Sequence, residues 1–288
     1  MEKSLAEALA AGDPLVADGA TGTMLMAAGL PAGSAPELWN IEQPEKILAL
    51  HNAYLQAGSQ IILTNSFGGS PLKLAKAGLG ERAHALNLAA ARLAVQAAAG
   101  RAYVAGDIGP TGELMKPMGP LTYEAAFETF AQQAAALAEG GVDLIWIETM
   151  TDLNEARAAV SAARQATTLP VFCTLSFGRK ARTMMGVSAK QAAQELWPLG
   201  LSAIGANCGE GLEMIPEVLR QMREAAPEAV LIAKPNAGLP RLVGGQTVYD
   251  VTPQQFALTM DDFVTRGAQV IGSCCGSSPE YIRALAAR

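Results

Sequence analysis

The stretch Ala203-Ile204-Gly205-Ala206-Asn207-Cys208 is a short apolar run that ends in polar side chains, and a segment with helical periodicity follows it. The same unit recurs along the chain. We predict eight strands: Leu15–Asp18, Ile61–Phe67, Tyr103–Ile108, Leu144–Thr149, Val171–Phe177, Ala203–Cys208, Leu231–Pro235 and Val270–Cys274. Eight strands that alternate with helices are typical of a (β/α)8 TIM barrel.

Helical periodicity fills the segments between these strands. The clearest predicted helices are Glu81–Ala99, Tyr123–Glu139, Asn154–Ala166, Ala189–Leu199, Leu212–Ala225 and Pro253–Arg266. Asp152, Ser188 and Thr252 stand where N-cap residues are favoured. A doubly wound open sheet is the competing fold, but no glycine-rich dinucleotide fingerprint follows the first strand. No Pro-, Ser- or Gly-rich linker interrupts the chain, so we expect one barrel domain over residues 1–288.

Composition excludes several classes of protein. The chain has 288 residues, 50% of them hydrophobic, and this is ample for the core of one large domain. Its formal net charge is −6. Its only dense basic stretch is Arg179-Lys180-Ala181-Arg182, so we expect no nucleic-acid partner. We find no secretory signal and no run of roughly 18 uncharged apolar residues, and therefore expect a cytoplasmic protein without a membrane span. Four cysteines in a chain of this length suggest reduced thiols, not a disulfide scaffold.

Cysteines end two of the predicted strands. Cys208 ends the sixth, and Cys274-Cys275 ends the eighth. TIM-barrel active sites lie at the C-terminal ends of the strands. Three sulfurs at one barrel mouth would make a soft site suited to zinc, with the fourth position open for chemistry. Cys173 lies inside a predicted strand, and we interpret it as a small buried apolar residue.

Both histidines, His51 and His84, fall in predicted helical segments. We interpret them as packing or surface residues, which argues against a His-ligated zinc ion and against a Ser-His-Asp triad.

Carboxylates end two further strands. Asp18 and Glu148 could act as an acid–base pair, as in glycosidases, or bind the ammonium group of an amino acid. The glycine-rich backbone after Asp18 could hold the carboxylate of the same amino acid. Asp107, in Gly106-Asp107-Ile108-Gly109, is equally suited to hydrogen bonding inside the barrel and to substrate contact.

Two other functions stay open at this point. Lys234 lies on a predicted barrel strand, where a desolvated lysine can form a Schiff base, so a Schiff-base lyase is one alternative. A non-catalytic zinc scaffold, with a partner in the open ligand position, is another.

Several motifs, taken in order, resemble one known family. They are Asp18-Gly19-Ala20-Thr21-Gly22-Thr23, Leu63-Thr64-Asn65-Ser66-Phe67-Gly68, Gly106-Asp107-Ile108-Gly109-Pro110-Thr111-Gly112, Glu148-Thr149, Asn207-Cys208, Pro235-Asn236-Ala237-Gly238 and Cys274-Cys275-Gly276. The chain resembles the zinc-dependent homocysteine S-methyltransferases, and most of all the homocysteine-binding barrel of cobalamin-dependent methionine synthases. One departure is Ser273, since the family usually has glycine before the cysteine doublet.

The resemblance implies a reaction and a set of site residues. Cys208, Cys274 and Cys275 are expected to bind zinc, and the sulfur of homocysteine is expected to take the fourth position and to receive a methyl group, giving methionine. Substrate contacts are expected from Asp18, Gly19, Ala20, Asn65, Ser66, Glu148 and Asn236. A related zinc-dependent transfer to another thiol stays open.

The methyl donor also stays open. Methylcobalamin or another corrinoid, betaine and S-methylmethionine are the alternatives. The resemblance favours a corrinoid, yet this sequence carries no cobalamin or folate module. We therefore expect a corrinoid donor to arrive on a separate protein or free in solution.

Overall fold

A parallel sheet of eight strands forms the centre of the molecule. The structure is a computed structural model that describes residues 3–239, 241–243 and 246–288. The strands of the sheet are β1 (Leu15–Val16), β2 (Ile61–Leu63), β3 (Tyr103–Ile108), β4 (Leu144–Met150), β5 (Val171–Leu175), β6 (Ala203–Cys208), β7 (Leu231–Pro235) and β10 (Ala268–Ile271). A separate antiparallel hairpin joins β8 (Arg241–Val243) to β9 (Gln246–Val248).

The sheet closes on itself. The strand order is β1-β10-β7-β6-β5-β4-β3-β2, and every pairing in it is parallel. A parallel bridge between Ala17 and Ile61 connects the two outer strands of this order. The predicted TIM barrel is therefore confirmed, and the C-terminal ends of all eight strands meet at one mouth.

Helices surround the barrel. They are α1 (Leu5–Ala10), α2 (Thr21–Ala27), α3 (Trp39–Glu42), α4 (Pro44–Ala57), α5 (Pro71–Ala75), α6 (Ala83–Ala98), α7 (Tyr123–Glu139), α8 (Leu153–Ala166), α9 (Ala189–Leu196), α10 (Ile215–Ala225), α11 (Pro253–Thr265) and α12 (Pro279–Ala286). Among the helices of the described residues, none is long and apolar enough to cross a membrane.

Two hydrophobic layers hold the fold together. The larger layer packs the apolar faces of the helices against the outside of the strands. The smaller fills the lower barrel interior with strand side chains such as Trp146 and Phe172, whose rings meet edge to face with centroids 5.3 Å apart. Leu5 and Leu9 of α1 join this inner layer. The N-terminal half of the barrel interior is thus mainly apolar, and the buried charged side chains lie towards the mouth.

The predicted elements exist, and several of their bounds need correction. The predicted bounds of β3, β6 and β7 match the structure, but Leu15–Asp18, Ile61–Phe67, Val171–Phe177 and Val270–Cys274 each extend too far into the mouth. After Leu63 the chain leaves the sheet because Asn65 and Ser66 bond to loop and strand backbone at Pro36 and Asp107. The predicted start of β10 is two residues late.

Helix ends differ for a related reason. Short 3-10 turns at Gly80–Arg82, Trp197–Leu199 and Leu212–Met214 occupy parts of the helices predicted from residues 81, 189 and 212. The cap predictions are confirmed: the side chains of Asp152, Ser188 and Thr252 each accept a backbone N–H from the first turn of their helix. His51 and His84 lie in α4 and α6, as predicted.

Close packing of β6 against β7 predicts one sensitive position. A Cβ added at Gly205 would collide with the backbone carbonyl oxygen of Ile232, which cannot rotate away. We expect Gly205→Ala to lower the free energy of unfolding by about 1–3 kcal/mol, measured by urea denaturation. Gly22→Ala is the control, since Gly22 lies in α2 and its added methyl would meet open space. Equal stability of the two variants would contradict this account of the β6–β7 contact.

Candidate functional site

Three thiols converge at the barrel mouth. The Cys208 Sγ lies 2.7 Å from the Cys274 Sγ and 3.8 Å from the Cys275 Sγ, and all three sulfurs lie within 4.8 Å of one another. Cys274 is buried, whereas Cys275 is exposed. This is the arrangement that the cysteine pattern predicts, and its donor set suits a soft metal ion. Cys173 is fully buried in β5 and lies outside the cluster.

Strand β7 positions the cysteines. It lies between β6 and β10, and Pro235 at its end is the register partner of Cys208. The carbonyl oxygen of Pro235 accepts the N–H of Cys274 at 2.8 Å. The next turn is held by Asn236, whose side chain accepts the N–H of Cys275 at 3.1 Å and donates to the carbonyl oxygen of Gly209 at 3.1 Å. Asn236 therefore braces both cysteine turns.

Two residues at the mouth have left-handed backbone conformations. Cys208 has φ 54° and Thr149 has φ 63°. This conformation is especially unfavourable for Thr149, because its side chain is β-branched. The buried side chain of Asn207 stabilises the left-handed conformation of Thr149. Its Oδ1 accepts the N–H of Thr149 at 2.8 Å, and its Nδ2 donates to the Thr149 Oγ1 at 2.7 Å. Asn207 thus fastens the end of β4 to the end of β6.

A cavity of about 780 Å³ opens over the thiols. Its wall includes all three cysteines, the turn that begins at Gly19 and Ala20, the ends of β3 and β4 at Asp107 and Glu148, and Lys234 of β7. Asn65, Phe67, Lys73, Thr149 and Tyr249 also line it. A cavity of this size accommodates an amino acid together with part of a second molecule.

Buried charges form the floor of the cavity. The Lys234 Nζ lies 3.6 Å from the Asp18 Oδ1 and 3.9 Å from the Glu148 Oε2. Asp107 lies near the same charges. All four side chains are buried, and the apolar barrel interior lies beneath them.

Burial and mutual charge shift the pKa values of this group. Burial raises the pKa of Asp18 to about 6 and that of Glu148 to about 7, although Lys234 opposes both shifts. Burial alone would lower the pKa of Lys234, but Glu148 and Asp18 outweigh it and raise that pKa above its ordinary value. A Schiff base requires a neutral amine, so this environment disfavours the lyase alternative for Lys234.

The predicted substrate residues do not all reach the cavity. Gly19, Ala20, Asn65 and Glu148 line it, whereas Asp18, Ser66 and Asn236 do not. Asp18 lies behind the wall, where its Oδ2 accepts the N–H of Leu63 at 2.8 Å. The fully buried Ser66 donates to the carbonyl oxygen of Asp107 at 2.7 Å, so its hydroxyl braces the end of β3.

The amide groups near the mouth are also partly committed. The N–H of Ala20 donates to the Ser277 Oγ at 3.1 Å, so it is not free for a substrate carboxylate. The side-chain amide of Asn65 donates to the Pro36 carbonyl oxygen and to the Asn40 Oδ1. Ser273, the departure from the family pattern, donates its hydroxyl to Ser277 at 2.8 Å and not to a sulfur.

Comparison with known proteins decides the family. The sequence profile described as homocysteine S-methyltransferase matches residues 15–288. The chain belongs to the homocysteine S-methyltransferase family. It is 30% identical over 291 aligned residues to methionine synthase of Mycobacterium tuberculosis; this alignment covers 95% of the chain and 24% of that relative, so the chain spans about a quarter of the relative's length.

Solved structures agree with this family. The homocysteine methyltransferase MmuM from Escherichia coli matches in its metallated form with 26% identity and a TM-score of 0.80. Its oxidised form matches with 27% identity and a TM-score of 0.79. Each comparison covers 96% of both chains.

Sequence reasoning missed two parts of the site. It treated Lys234 only as a Schiff-base candidate, and it left Asn207 without a role of its own. The sequence distinguishes both positions: Lys234 is a lone charged residue in an apolar strand, and Asn207 directly precedes a strand-end cysteine. The register pairs these two residues across β6 and β7.

The Asn207 contacts generate a stability prediction. Asn207→Ala removes both hydrogen bonds to Thr149 and two longer ones, to the Glu148 Oε2 and the Cys274 Sγ, and it leaves the N–H of Thr149 without its acceptor. We expect the free energy of unfolding to fall by about 1–3 kcal/mol, measured by urea denaturation. Asn154→Ala, at an exposed position of α8, is the control and is expected to stay within about 0.5 kcal/mol of the parent. A neutral Asn207→Ala would mean that the left-handed Thr149 needs no such support.

Proposed function

We propose that residues 1–288 act as one homocysteine-binding domain that transfers a methyl group to the sulfur of homocysteine with the help of zinc at Cys208, Cys274 and Cys275. The observation that carries this proposal is the convergence of three sulfurs on the wall of a cavity large enough for the amino acid and a methyl donor. Membership of the family and the metallated state of MmuM support it.

The thiol cluster fits a zinc ion in its chemistry and nearly in its dimensions. Tetrahedral zinc with Zn–S bonds of about 2.3 Å separates its sulfurs by roughly 3.8 Å. The Cys208–Cys275 distance has this value, and the Cys208–Cys274 distance of 2.7 Å is about 1 Å shorter. Three protein ligands leave one position for a substrate sulfur.

The chain's own residues bind and orient the substrate. A bound zinc ion supplies deprotonation of a thiol at neutral pH. The acidic floor of the cavity attracts the ammonium group of homocysteine. Its carboxylate is expected at the start of α2, where Thr21 and Gly22 line the cavity. With both ends of the amino acid held, the sulfur is directed at the cysteines, and alignment of sulfur with methyl group accounts for much of the rate.

Among the described residues that line the cavity, two are aromatic, which is fewer than a cage for betaine would need. Of the aromatic residues that the sequence offers, Phe67 and Tyr249 line the described part of the cavity. The ring of Trp39 is buried and covered by the Lys46 ammonium at 4.2 Å from its centroid. This composition disfavours betaine. We therefore propose a corrinoid as methyl donor, with S-methylmethionine as the second candidate.

Metal content tests the ligand set. We expect about one zinc ion per chain in the parent protein and a loss of most of it in Cys275→Ala, because two thiolates hold zinc far less well than three. Methionine formation should be lost with the metal. Elemental analysis of the purified protein measures the first effect.

Cys173→Ala is the matched control, because it removes a cysteine outside the cluster and should leave the zinc content unchanged. Parent-like zinc content in Cys275→Ala, or full activity in a zinc-free protein, would refute the proposed metal site.

A comparison of methyl donors tests the proposed choice of a corrinoid. Zinc-loaded protein is incubated with homocysteine and, separately, with methylcobalamin, S-methylmethionine or betaine, and methionine is measured by mass spectrometry. We expect product with methylcobalamin and the least with betaine. Product formed with betaine alone would contradict the interpretation of the aromatic side chains.

A further inference from the structure

The turn that follows Cys208 is held from both sides. Strand β6 lies between β5 and β7 in the sheet. On the β7 side, Asn236 donates to the carbonyl oxygen of Gly209. On the β5 side, the N–H of Glu210 donates to the carbonyl oxygen of Phe177 at 3.1 Å. A Cβ added at Gly209 would lie 2.2 Å from that same oxygen, so the two backbones are in direct contact.

The side chain of Glu210 adds a second contact to the loop that follows β5 (residues 176–188, the β5 loop). Its Oε2 accepts the backbone N–H of Arg179 at 3.2 Å, and a Cβ added at Gly178 would lie 3.1 Å from its carboxyl carbon. The guanidinium of Arg179 lies 3.8 Å from the Oε2 and is 93% exposed, so this ion pair contributes little. The hydrogen bond to the backbone is therefore the contact by which the Glu210 side chain joins the two loops.

The β5 loop is fixed by contacts of its own. The N–H of Gly178 donates to the carbonyl oxygen of Arg182 at 2.8 Å. Ala181 is fully buried with φ 51°, and Lys180 before it has φ 61°. Left-handed backbone at residues other than glycine is costly and persists only where surrounding contacts determine it. The loop therefore offers Glu210 a fixed point of attachment.

Cys208 needs such an attachment because its own backbone is left-handed, with φ 54°. In this conformation its Sγ reaches the sulfurs of Cys274 and Cys275. A return of φ to the ordinary negative region would rotate the Cα–Cβ bond and move the sulfur away from them. The contacts that hold the turn after Cys208 thus also hold the sulfur.

We propose that Glu210 is a positioning residue for the metal site, which acts through Cys208. Its carboxylate joins the Cys208 turn to the β5 loop and so keeps the Cys208 sulfur in place before the metal ion binds. Glu210 is not among the described residues that line the cavity, so its role is separate from substrate contact. The inference rests on the proposed function, because it takes the three thiols as zinc ligands. A ligand that is already oriented binds metal more tightly than one that must be ordered on binding.

Zinc affinity of Glu210 variants tests this role. Metal-free protein is titrated with zinc in competition with a chromophoric chelator, and the zinc-free proteins are also unfolded in urea. We expect Glu210→Ala to weaken zinc binding about 3- to 10-fold, as for loss of one hydrogen bond, with an unchanged urea midpoint. Glu210→Gln should bind zinc as the parent does, because its amide oxygen can still accept the N–H of Arg179.

Glu213→Ala is the matched control, since Glu213 is an exposed acidic residue in the next turn of the chain and its removal changes the net charge equally. It should leave the zinc affinity unchanged. Parent-like zinc affinity in Glu210→Ala would overturn the assignment. Equal weakening in Glu210→Ala and Glu210→Gln would also overturn it, because the effect would then come from charge and not from the hydrogen bond.

The urea measurement separates positioning from a general structural role. A lower midpoint of the zinc-free Glu210→Ala protein, in proportion to its loss of zinc affinity, would replace positioning by general destabilisation and overturn the inference. Parent protein that binds no zinc would overturn the proposed metal site and this inference with it.

Discussion

The site depends on the register of one central strand. The cysteines are 66 and 67 residues apart in sequence, and they meet because β6 and β10 both pair with β7. Pro235 faces Cys208 across one ladder and accepts the N–H of Cys274 across the other. A slip of one residue on either side of β7 would turn a cysteine from the mouth towards the helices. Close packing at Gly205, one strand away, leaves little room for such a slip.

The second constraint is electrostatic. Four ionisable side chains lie buried where the dry barrel interior meets the cavity. Desolvating charges is costly, and attraction between them repays that cost only when each has a partner. Lys234 forms ion pairs with Asp18 and Glu148, and Asp18 also accepts a backbone N–H. Burial of three carboxyl groups beside one lysine therefore raises the pKa of all three.

The sequence predicted the barrel and the cysteine cluster because both follow local rules. Apolar runs bounded by helix caps define strands, and strand ends in a TIM barrel face one mouth, so Cys208 and Cys274 had to approach each other. The same rule made the predicted β2 too long, because Asn65 and Ser66 follow an apolar run without a break. Their side chains bond to backbone in neighbouring segments, and a single sequence does not reveal such partners.

Roles inside the site were harder to predict for the same reason. Asp18 and Glu148 look equivalent as strand-end carboxylates, yet only Glu148 reaches the cavity. Both carboxylates lie near Lys234, but Asp18 accepts the N–H of Leu63, whereas Glu148 accepts the side-chain amide of Asn207. Both partners come from other strands. Which of two carboxylates lines the cavity is therefore decided by tertiary neighbours and not by position on the strand.

The serine that replaces a family glycine shows how such neighbours become coupled. Ser273 is fully buried, and its hydroxyl donates to Ser277, which in turn donates to the carbonyl oxygen of Cys274 and accepts the N–H of Ala20. A Cβ added at Gly19 would lie 2.8 Å from the Ser277 Oγ and 2.9 Å from the Ser273 Oγ. The two hydroxyls thus fill the space beside Gly19. Because the serine pair joins the first turn of the barrel to the cysteine turn, the side chain at position 273 braces the thiol cluster without contacting a sulfur. Together with the Tyr54 hydroxyl, the two serines leave little room for a side chain at position 19.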